Sequence, residues 1–138
     1  MNARVEAWFE ACGWRAFDFQ REVWDAYRAG ESGLVHSATG TGKTLAAFLG
    51  PAAEAIEEGA EKSPPLRVLW ITPMRALAGD TAHSLAKAAE GVGLAWTVGL
   101  RTGDTTAAER AKQARRLPAA LVTTPETLAP MLSQPQAR

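Results

Sequence analysis

Apolar positions along the chain follow two patterns in turn, one typical of helices and one typical of buried strands. Apolar residues at helical spacing predict helices from residue 18 and from residue 43, and further helices are expected at residues 5–12, 74–90 and 125–132. The capping-box spacing of Thr106 and Glu109 predicts a helix at residues 106–116. Short apolar runs between them predict strands at residues 34–36, 66–72, 94–98 and 119–122. The run LRVLWIT at residues 66–72 is continuous, which is typical of a parallel strand buried on both faces.

This alternation predicts an α/β fold, since strands that alternate with helices form βαβ units. We expect three layers, with a parallel sheet covered by helices on both faces. The length of 138 residues suits one domain, and a hydrophobic fraction of 46% is enough for a core. Residues 1–32 are expected to form helices that precede the first strand.

Composition adds a few exclusions. The formal net charge is zero, which argues against a protein that coats nucleic acid by bulk charge but leaves room for a local phosphate-binding patch. There is neither a signal-peptide-like apolar segment nor a run of about 18 apolar residues, so we expect no membrane association. The single cysteine, Cys12, cannot form an internal disulfide and fits a reducing cytoplasm.

A glycine-rich segment between a predicted strand and a predicted helix has the composition of a phosphate-binding P-loop. It departs from the pattern G-x-x-x-x-G-K-[ST] only at its first position. Its backbone N–H groups and the start of the next helix would hold the phosphates of ATP. Lys43 would contact the β- and γ-phosphates as the catalytic cation, and the Thr44 hydroxyl would bind Mg²⁺. The segment comprises Ser37, Ala38, Thr39, Gly40, Thr41, Gly42, Lys43 and Thr44.

Two predicted strands end in the same dipeptide, threonine followed by proline. Threonine suits the N-cap and proline the first helical position, so each pair is expected to start a helix at the carboxyl edge of the sheet. The alternative is that the pairs are only efficient helix starts. As phosphate sites they would include Thr72, Pro73 and Arg75 in one motif and Thr124, Pro125 and Glu126 in the other.

A polar turn after the third predicted strand is a further candidate for nucleic-acid contact. Arg101, Thr102 and Gly103 lie in it, and the alternative is an ordinary turn capped by Asp104 or Thr106. The basic residues that follow, Arg110, Lys112, Arg115 and Arg116, are expected to form a solvated helix face.

In this order, Gln20, SATGTGKT, TPMRALA, RTGD and TTPETL resemble the conserved motifs of superfamily 2 helicases. The phrases GWRAFDFQREVW, LAWTVGLRTGDT and LVTTPETL are similar to those of Lhr-like, ligase-associated DEXH-box DNA helicases. The resemblance covers nearly the whole chain. It implies a RecA-like P-loop NTPase fold, with residues 1–138 as a partial ATP-binding domain that is incomplete at its C-terminus.

The family implies ATP-driven 3′–5′ translocation on single-stranded DNA or a 3′-tailed duplex. It also implies a role in DNA repair, with partners such as a ligase or a nuclease. By resemblance, Gln20 matches the glutamine that recognises adenine. Thr72, Pro73, Arg75, Thr102, Gly103, Thr124, Pro125 and Glu126 match the residues that track the strand. Trp14 and Phe17 are both candidates to stack on adenine.

The chain departs from the family pattern because no apolar run ends in the acidic pair of a DEXH motif. A second RecA-like domain with its arginine finger is also not found. We therefore expect this chain by itself to hydrolyse ATP very slowly, since phosphoryl transfer depends on positioned charges. Two other hypotheses remain, a small P-loop phosphotransferase and a stand-alone nucleotide-binding module.

Overall fold

The computed structural model describes residues 2–36, 42–59 and 66–134. Helices and strands alternate in its second half, so the predicted α/β class is confirmed. The described elements are α1 Ala3–Ala11, α2 Asp18–Arg28, α3 Lys43–Glu57, β1 Val68–Ile71, α4 Arg75–Gly91, β2 Val98–Arg101, α5 Ala107–Arg115, β3 Ala120–Thr123 and α6 Pro125–Leu132. None of the helices in these ranges has the length and apolar character needed to cross a membrane.

The sheet of the described residues is parallel, with the strand order β1-β3-β2. Strand β3 lies in the centre and is buried along its whole length. In contrast, Leu69 and Ile71 of β1 are exposed. The prediction that residues 66–72 are buried on both faces is therefore wrong, because β1 is an edge strand among the described elements while β3 has a neighbour on each side.

Two predicted strands differ from the structure. Residues 34–36 form no strand, and Leu34 is 89% exposed. A strand needs a neighbour for its backbone hydrogen bonds, and the described sheet places none beside this segment. The strand predicted at 94–98 is observed at Val98–Arg101, because the ladder with β3 begins only where the Ala120 N–H donates to the Thr97 carbonyl oxygen, at 3.1 Å.

The chain divides into two compact units. The first comprises residues 1–61 and 88–95, and the second comprises residues 62–87 and 96–138. Helices α1 to α3 belong to the first unit, and its core includes Val5, Phe9 and Trp24 beside Phe48 and Leu49 of α3. The sheet, α5 and α6 belong to the second unit, whose core is formed largely by β3. The nucleotide-binding and strand-tracking candidates therefore lie in different units.

Candidate functional site

Helix α3 begins at the end of the predicted phosphate-binding loop. Gly42 is its N-cap and has a φ of 84°, in the left-handed region that glycine tolerates best. Lys43 and Thr44 form the first helical turn and are half-buried. The first N–H groups of a helix have no partner within the helix, and together with the dipole of this 15-residue helix they favour an anion at this end. The rest of the loop, Ser37, Ala38, Thr39, Gly40 and Thr41, lies outside the described residues.

Gln20 connects the start of α2 to the start of α3. Its Oε1 accepts a hydrogen bond from the N–H of Phe17, the N-cap of α2, at 3.0 Å. Its Nε2 donates to the carbonyl oxygen of Gly42 at 3.1 Å. The side chain is only 2% exposed, and a Cβ added to Gly42 would lie 2.6 Å from Nε2. Gln20 is therefore packed against Gly42, at the end of the predicted phosphate-binding loop.

Helix α2 is also attached to α3 farther along both helices. The indole of Trp24 donates from Nε1 to the Leu45 carbonyl oxygen at 3.1 Å. The ring of Tyr27 lies against Gly50, where an added Cβ would be 3.0 Å from the ring. Contacts advance along α3 as they advance along α2, so the two helices run in the same direction. This packing holds Gln20 at the level of Gly42.

The two aromatic candidates for adenine stacking have different surroundings. The Trp14 ring packs edge-on against Trp8 and Phe9, with ring centroids 5.3 and 5.7 Å away. Phe17 is 54% exposed, stacks on Phe19 with an interplanar angle of 14°, and bonds through its N–H to Gln20. Phe17 is thus the candidate attached directly to the glutamine.

In the second unit, the three strands end side by side. Ile71, Thr123 and Arg101 are in register, so the next residue of each strand lies at the same carboxyl edge. Those residues are three buried threonines, and Thr124 lies between the other two. The structure therefore brings the three predicted strand-tracking motifs together at one edge, through Thr72, Thr124 and Thr102.

The two predicted helix starts have different outcomes. Thr124 is the N-cap of α6 and Pro125 is its first residue, as predicted, although the Thr124 hydroxyl bonds to the Thr127 hydroxyl at 2.9 Å instead of capping the helix. The same prediction for Thr72 and Pro73 is wrong, because α4 begins at Arg75. The N–H of Thr72 still donates to the Thr123 carbonyl oxygen at 2.9 Å, which prolongs the strand pairing and delays the helix.

The turn after β2 is held by its own threonines and by Arg110. The Thr102 N–H donates to the Thr105 hydroxyl at 2.9 Å, and the Asp104 N–H donates to the Thr102 hydroxyl at 3.2 Å. The guanidinium of Arg110 donates to the carbonyl oxygens of Thr105, Thr102 and Gly103 at 3.0, 3.3 and 3.4 Å. The prediction that Arg110 belongs to a solvated helix face is therefore wrong, because its guanidinium is directed at the carbonyl oxygens of the turn that follows β2.

Arg101 lies farther inside the second unit than a free phosphate-binding cation would. Its Nη1 donates to Oε1 of Gln113 at 3.3 Å, and the Gln113 Nε2 donates to the Leu100 carbonyl oxygen at 3.1 Å. Burial, with a smaller contribution from the Arg110 guanidinium, lowers the pKa of Arg101 from its usual value. Sequence analysis missed Gln113, because a single glutamine in a polar helix gives no signal of burial.

Arg75 reaches the same turn from the start of α4. Its Nη1 forms an ion pair with Oδ1 of Asp104 at 3.4 Å. A Cβ added to Gly103 would lie 2.5 Å from the Arg75 Nη2 and 3.0 Å from its Cζ, so the guanidinium rests on the glycine. Two motifs that are 29 residues apart thus meet through Arg75, Gly103 and Asp104. Sequence analysis did not predict this contact.

Comparison with known proteins gives concordant results. A family model described as DEAD/DEAH box helicase matches residues 17–138. The chain is 35% identical over 142 residues to a protein of Mycolicibacterium smegmatis named Lhr helicase/probable uracil glycosylase, covering 96% of this chain and 9% of that protein. It is also 35% identical over 150 residues to the ATP-dependent helicase Lhr-Core of Methanothermobacter thermautotrophicus, covering 97% of this chain and 17% of that protein.

A solved structure of the Mycobacterium smegmatis helicase Lhr, bound to single-stranded DNA and AMP-PNP, superposes with a TM-score of 0.82 at 34% identity, covering 98% of this chain and 18% of that one. A hypothetical ATP-dependent RNA helicase from Sulfolobus tokodaii shares the fold, with a TM-score of 0.71 at 23% identity over 96% of this chain and 37% of that one. The predicted RecA-like fold and resemblance to Lhr-type helicases are confirmed. The chain spans less than a fifth of the length of the curated relatives described above, and it belongs to the DEAD/DEAH box helicase family.

Proposed function

We propose that this chain is part of the ATP-binding domain of an ATP-dependent DNA helicase, and that it binds MgATP and single-stranded DNA. The observation on which the proposal rests most is the hydrogen bond from Gln20 to Gly42. It ties the residue expected to recognise the base to the residue at which the phosphate-binding loop enters α3. A chance glycine-rich turn before a helix would not require such a partner.

The residues at the start of α3 fit a triphosphate. A left-handed glycine precedes a helix whose first residues are a lysine and a threonine, and this end of the helix favours anions. Lys43 would contact the β- and γ-phosphates, Thr44 would bind Mg²⁺ through its hydroxyl, and residues 37–41 would surround the phosphates. Bound ATP supplies the phosphoryl group whose transfer to water drives a motor of this kind.

Base recognition is assigned to Gln20 and Phe17. Each polar atom of the Gln20 side chain has one backbone partner, and the amide retains a second N–H and a second lone pair for adenine. Phe17 is preferred to Trp14 as the stacking residue, because its exposed ring is on the residue whose N–H bonds to Gln20.

Single-stranded DNA is assigned to the carboxyl edge of the sheet in the second unit. Thr72, Thr102 and Thr124 lie there side by side. Pro73, Arg75, Gly103, Pro125 and Glu126 complete the proposed contact set, and Arg101 is left out of it because its guanidinium donates to Gln113. The solved Lhr relative is bound to single-stranded DNA, which supports this ligand. We further propose 3′–5′ movement on a 3′-tailed duplex, a cytoplasmic location and repair partners such as a ligase or a nuclease.

The chain by itself is expected to bind ATP but to hydrolyse it slowly. The three strands of the described sheet are each followed or ended by threonine, and none of them presents a carboxylate at the edge where Mg²⁺ needs a partner. Phosphoryl transfer from ATP bound to this chain would then lack a charge that normally stabilises the transition state. Nucleotide binding and DNA binding are therefore the activities to measure.

Thermal unfolding with MgATP tests the nucleotide assignment. MgATP at roughly 100 times its dissociation constant should stabilise the chain by about 2.7 kcal/mol, which corresponds to a rise of roughly 5–10 °C in Tm. Lys43→Ala should lose most of this rise, because the phosphates lose their cation. An equal rise in Lys43→Ala and the unchanged chain would contradict the P-loop assignment.

Binding of a labelled oligodeoxythymidylate tests the DNA assignment. Affinity should fall as salt rises, and Arg75→Ala and Thr124→Ala should weaken it. Lys87→Ala, which removes a cation elsewhere on α4, is the matched control and should have a smaller effect. If Arg75→Ala and Thr124→Ala bind like the unchanged chain, the carboxyl edge is not the DNA site.

A further inference from the structure

We propose that Asp104 competes with the nucleic-acid phosphate for the guanidinium of Arg75, and so lowers the affinity of the chain for single-stranded DNA. The inference rests on the proposed function, because it requires Arg75 to contact a phosphate. The inference adds Asp104 as a residue that weakens DNA binding, in contrast to the residues that are proposed to contact the DNA.

The guanidinium of Arg75 and the carboxylate of Asp104 lie next to each other beside Gly103. The Arg75 Nη1 lies 3.4 Å from the Asp104 Oδ1, and the guanidinium rests on Gly103, where even a methyl group would be too close. Both side chains are largely exposed, by 54% for Arg75 and 79% for Asp104. The guanidinium is therefore accessible to a phosphate from solvent while it contacts the carboxylate.

The carboxylate of Asp104 is not needed to build the turn that presents it. The turn is held by hydrogen bonds of Thr102 and Thr105 and by the Arg110 guanidinium, and Asp104 contributes its backbone N–H to the Thr102 hydroxyl. Thr106, and not Asp104, caps α5 by accepting from the Glu109 N–H at 3.2 Å. Asp104→Asn would keep the backbone bond to Thr102 and remove only the charge.

Electrostatics determines the sign of the effect. A phosphate that binds Arg75 would come within about 6 Å of the Asp104 carboxylate, at which distance like charges repel appreciably. The ion pair itself, being exposed, contributes little to stability. Removing the carboxylate should therefore tighten DNA binding, by about 3- to 10-fold at low salt, and the gain should shrink as salt screens the repulsion.

The test is a double-mutant cycle on the whole chain, with the dissociation constant of a fluorescent oligodeoxythymidylate measured by anisotropy at several salt concentrations. The proteins are the unchanged chain, Arg75→Ala, Asp104→Asn and the double variant. Glu109→Gln is the matched control, since it removes the same charge from an exposed position at the start of α5. Tm values confirm that each variant is folded.

The expected result has three parts. Asp104→Asn binds about 3- to 10-fold more tightly at low salt, the same change has no effect in the Arg75→Ala background, and Glu109→Gln changes affinity by less than about 2-fold. Unchanged or weaker binding by Asp104→Asn overturns the inference. So does a gain that persists without Arg75 or that Glu109→Gln reproduces, because either would be a general charge effect.

Failure of the proposed DNA site gives a different result. If Arg75→Ala binds DNA like the unchanged chain, Arg75 does not contact a DNA phosphate. The proposed competition between Asp104 and the phosphate is then also wrong. If Arg75→Ala weakens binding while Asp104→Asn does not strengthen it, the DNA site stands and only the competition is wrong.

Discussion

The side-chain amide of Gln20 donates a hydrogen bond of 3.1 Å to the carbonyl oxygen of Gly42, 22 residues away in sequence. One residue therefore contacts both the start of α2 and the start of α3. A glutamine that recognised only the base would not need to be buried against Gly42, the last residue before α3 in the proposed phosphate-binding loop. The arrangement couples the base side of the proposed nucleotide site to its phosphate side.

Replacement of Gln20 should separate these two roles. Gln20→Ala leaves the Phe17 N–H and the Gly42 carbonyl without a partner and should lower stability by about 1–3 kcal/mol. Gln20→Glu retains the acceptor for Phe17 but cannot donate to Gly42. Tripolyphosphate, which has no base, should bind more weakly to Gln20→Glu than to the unchanged chain. Equal tripolyphosphate affinity would show that the bond to Gly42 does not shape the phosphate site.

Gly42→Ala should destabilise the chain through two effects. A φ of 84° costs an alanine about 1–2 kcal/mol, and the added Cβ would lie 2.6 Å from the Gln20 Nε2. Gly30→Ala is the matched control, since Gly30 has a φ of 79° and no atom within 4 Å of an added Cβ. Urea unfolding should show a larger loss for Gly42→Ala. Equal losses would mean that the contact with Gln20 has no energetic weight.

Phe17→Ala and Trp14→Ala should affect different properties. Stacking of a base on an aromatic ring contributes favourable binding free energy, so Phe17→Ala should weaken ATP binding by about 5- to 100-fold. Binding of tripolyphosphate, which has no base, should be unchanged. Trp14→Ala should instead lower Tm, because Trp14 packs against Trp8 and Phe9. Calorimetric titration and thermal unfolding distinguish the two. The reverse pattern would assign adenine stacking to Trp14.

Two glycines in the second unit should respond to alanine with opposite signs. At Gly99 in β2, an added Cβ would lie 2.7 Å from Cγ of Pro118, whose ring cannot rotate away, so Gly99→Ala should cost about 1–3 kcal/mol. At Gly79 in α4 there is no atom within 4 Å, and Gly79→Ala should stabilise the helix by up to about 1 kcal/mol. A stabilising Gly99→Ala, measured by urea unfolding, would contradict the close approach of the Pro118 ring to β2.

The family, the fold class and most elements could be predicted from sequence because they depend on local signals. All six described helices were predicted, α2 and α3 from their apolar spacing, α5 from the capping-box spacing at Thr106, and the start of α6 from Thr124 and Pro125. The ordered motifs around Gln20, Lys43 and Thr124 predicted the helicase family, since each motif is a short run of residues with its own chemistry. Whether these residues bind ATP and DNA in this chain stays a prediction.

The tertiary structure decided what depends on residues far apart in the chain. Strand burial in the described sheet follows from neighbours, so β3 and not β1 is fully buried, and residues 34–36, which resemble a strand locally, form none. The bond of Gln20 to Gly42 and the pairing of Arg75 with Asp104 join segments 22 and 29 residues apart. Sequence alone determined which groups this protein has for phosphate chemistry, and only folding determined which of them touch, because hydrogen bonds and ion pairs form between neighbours in space.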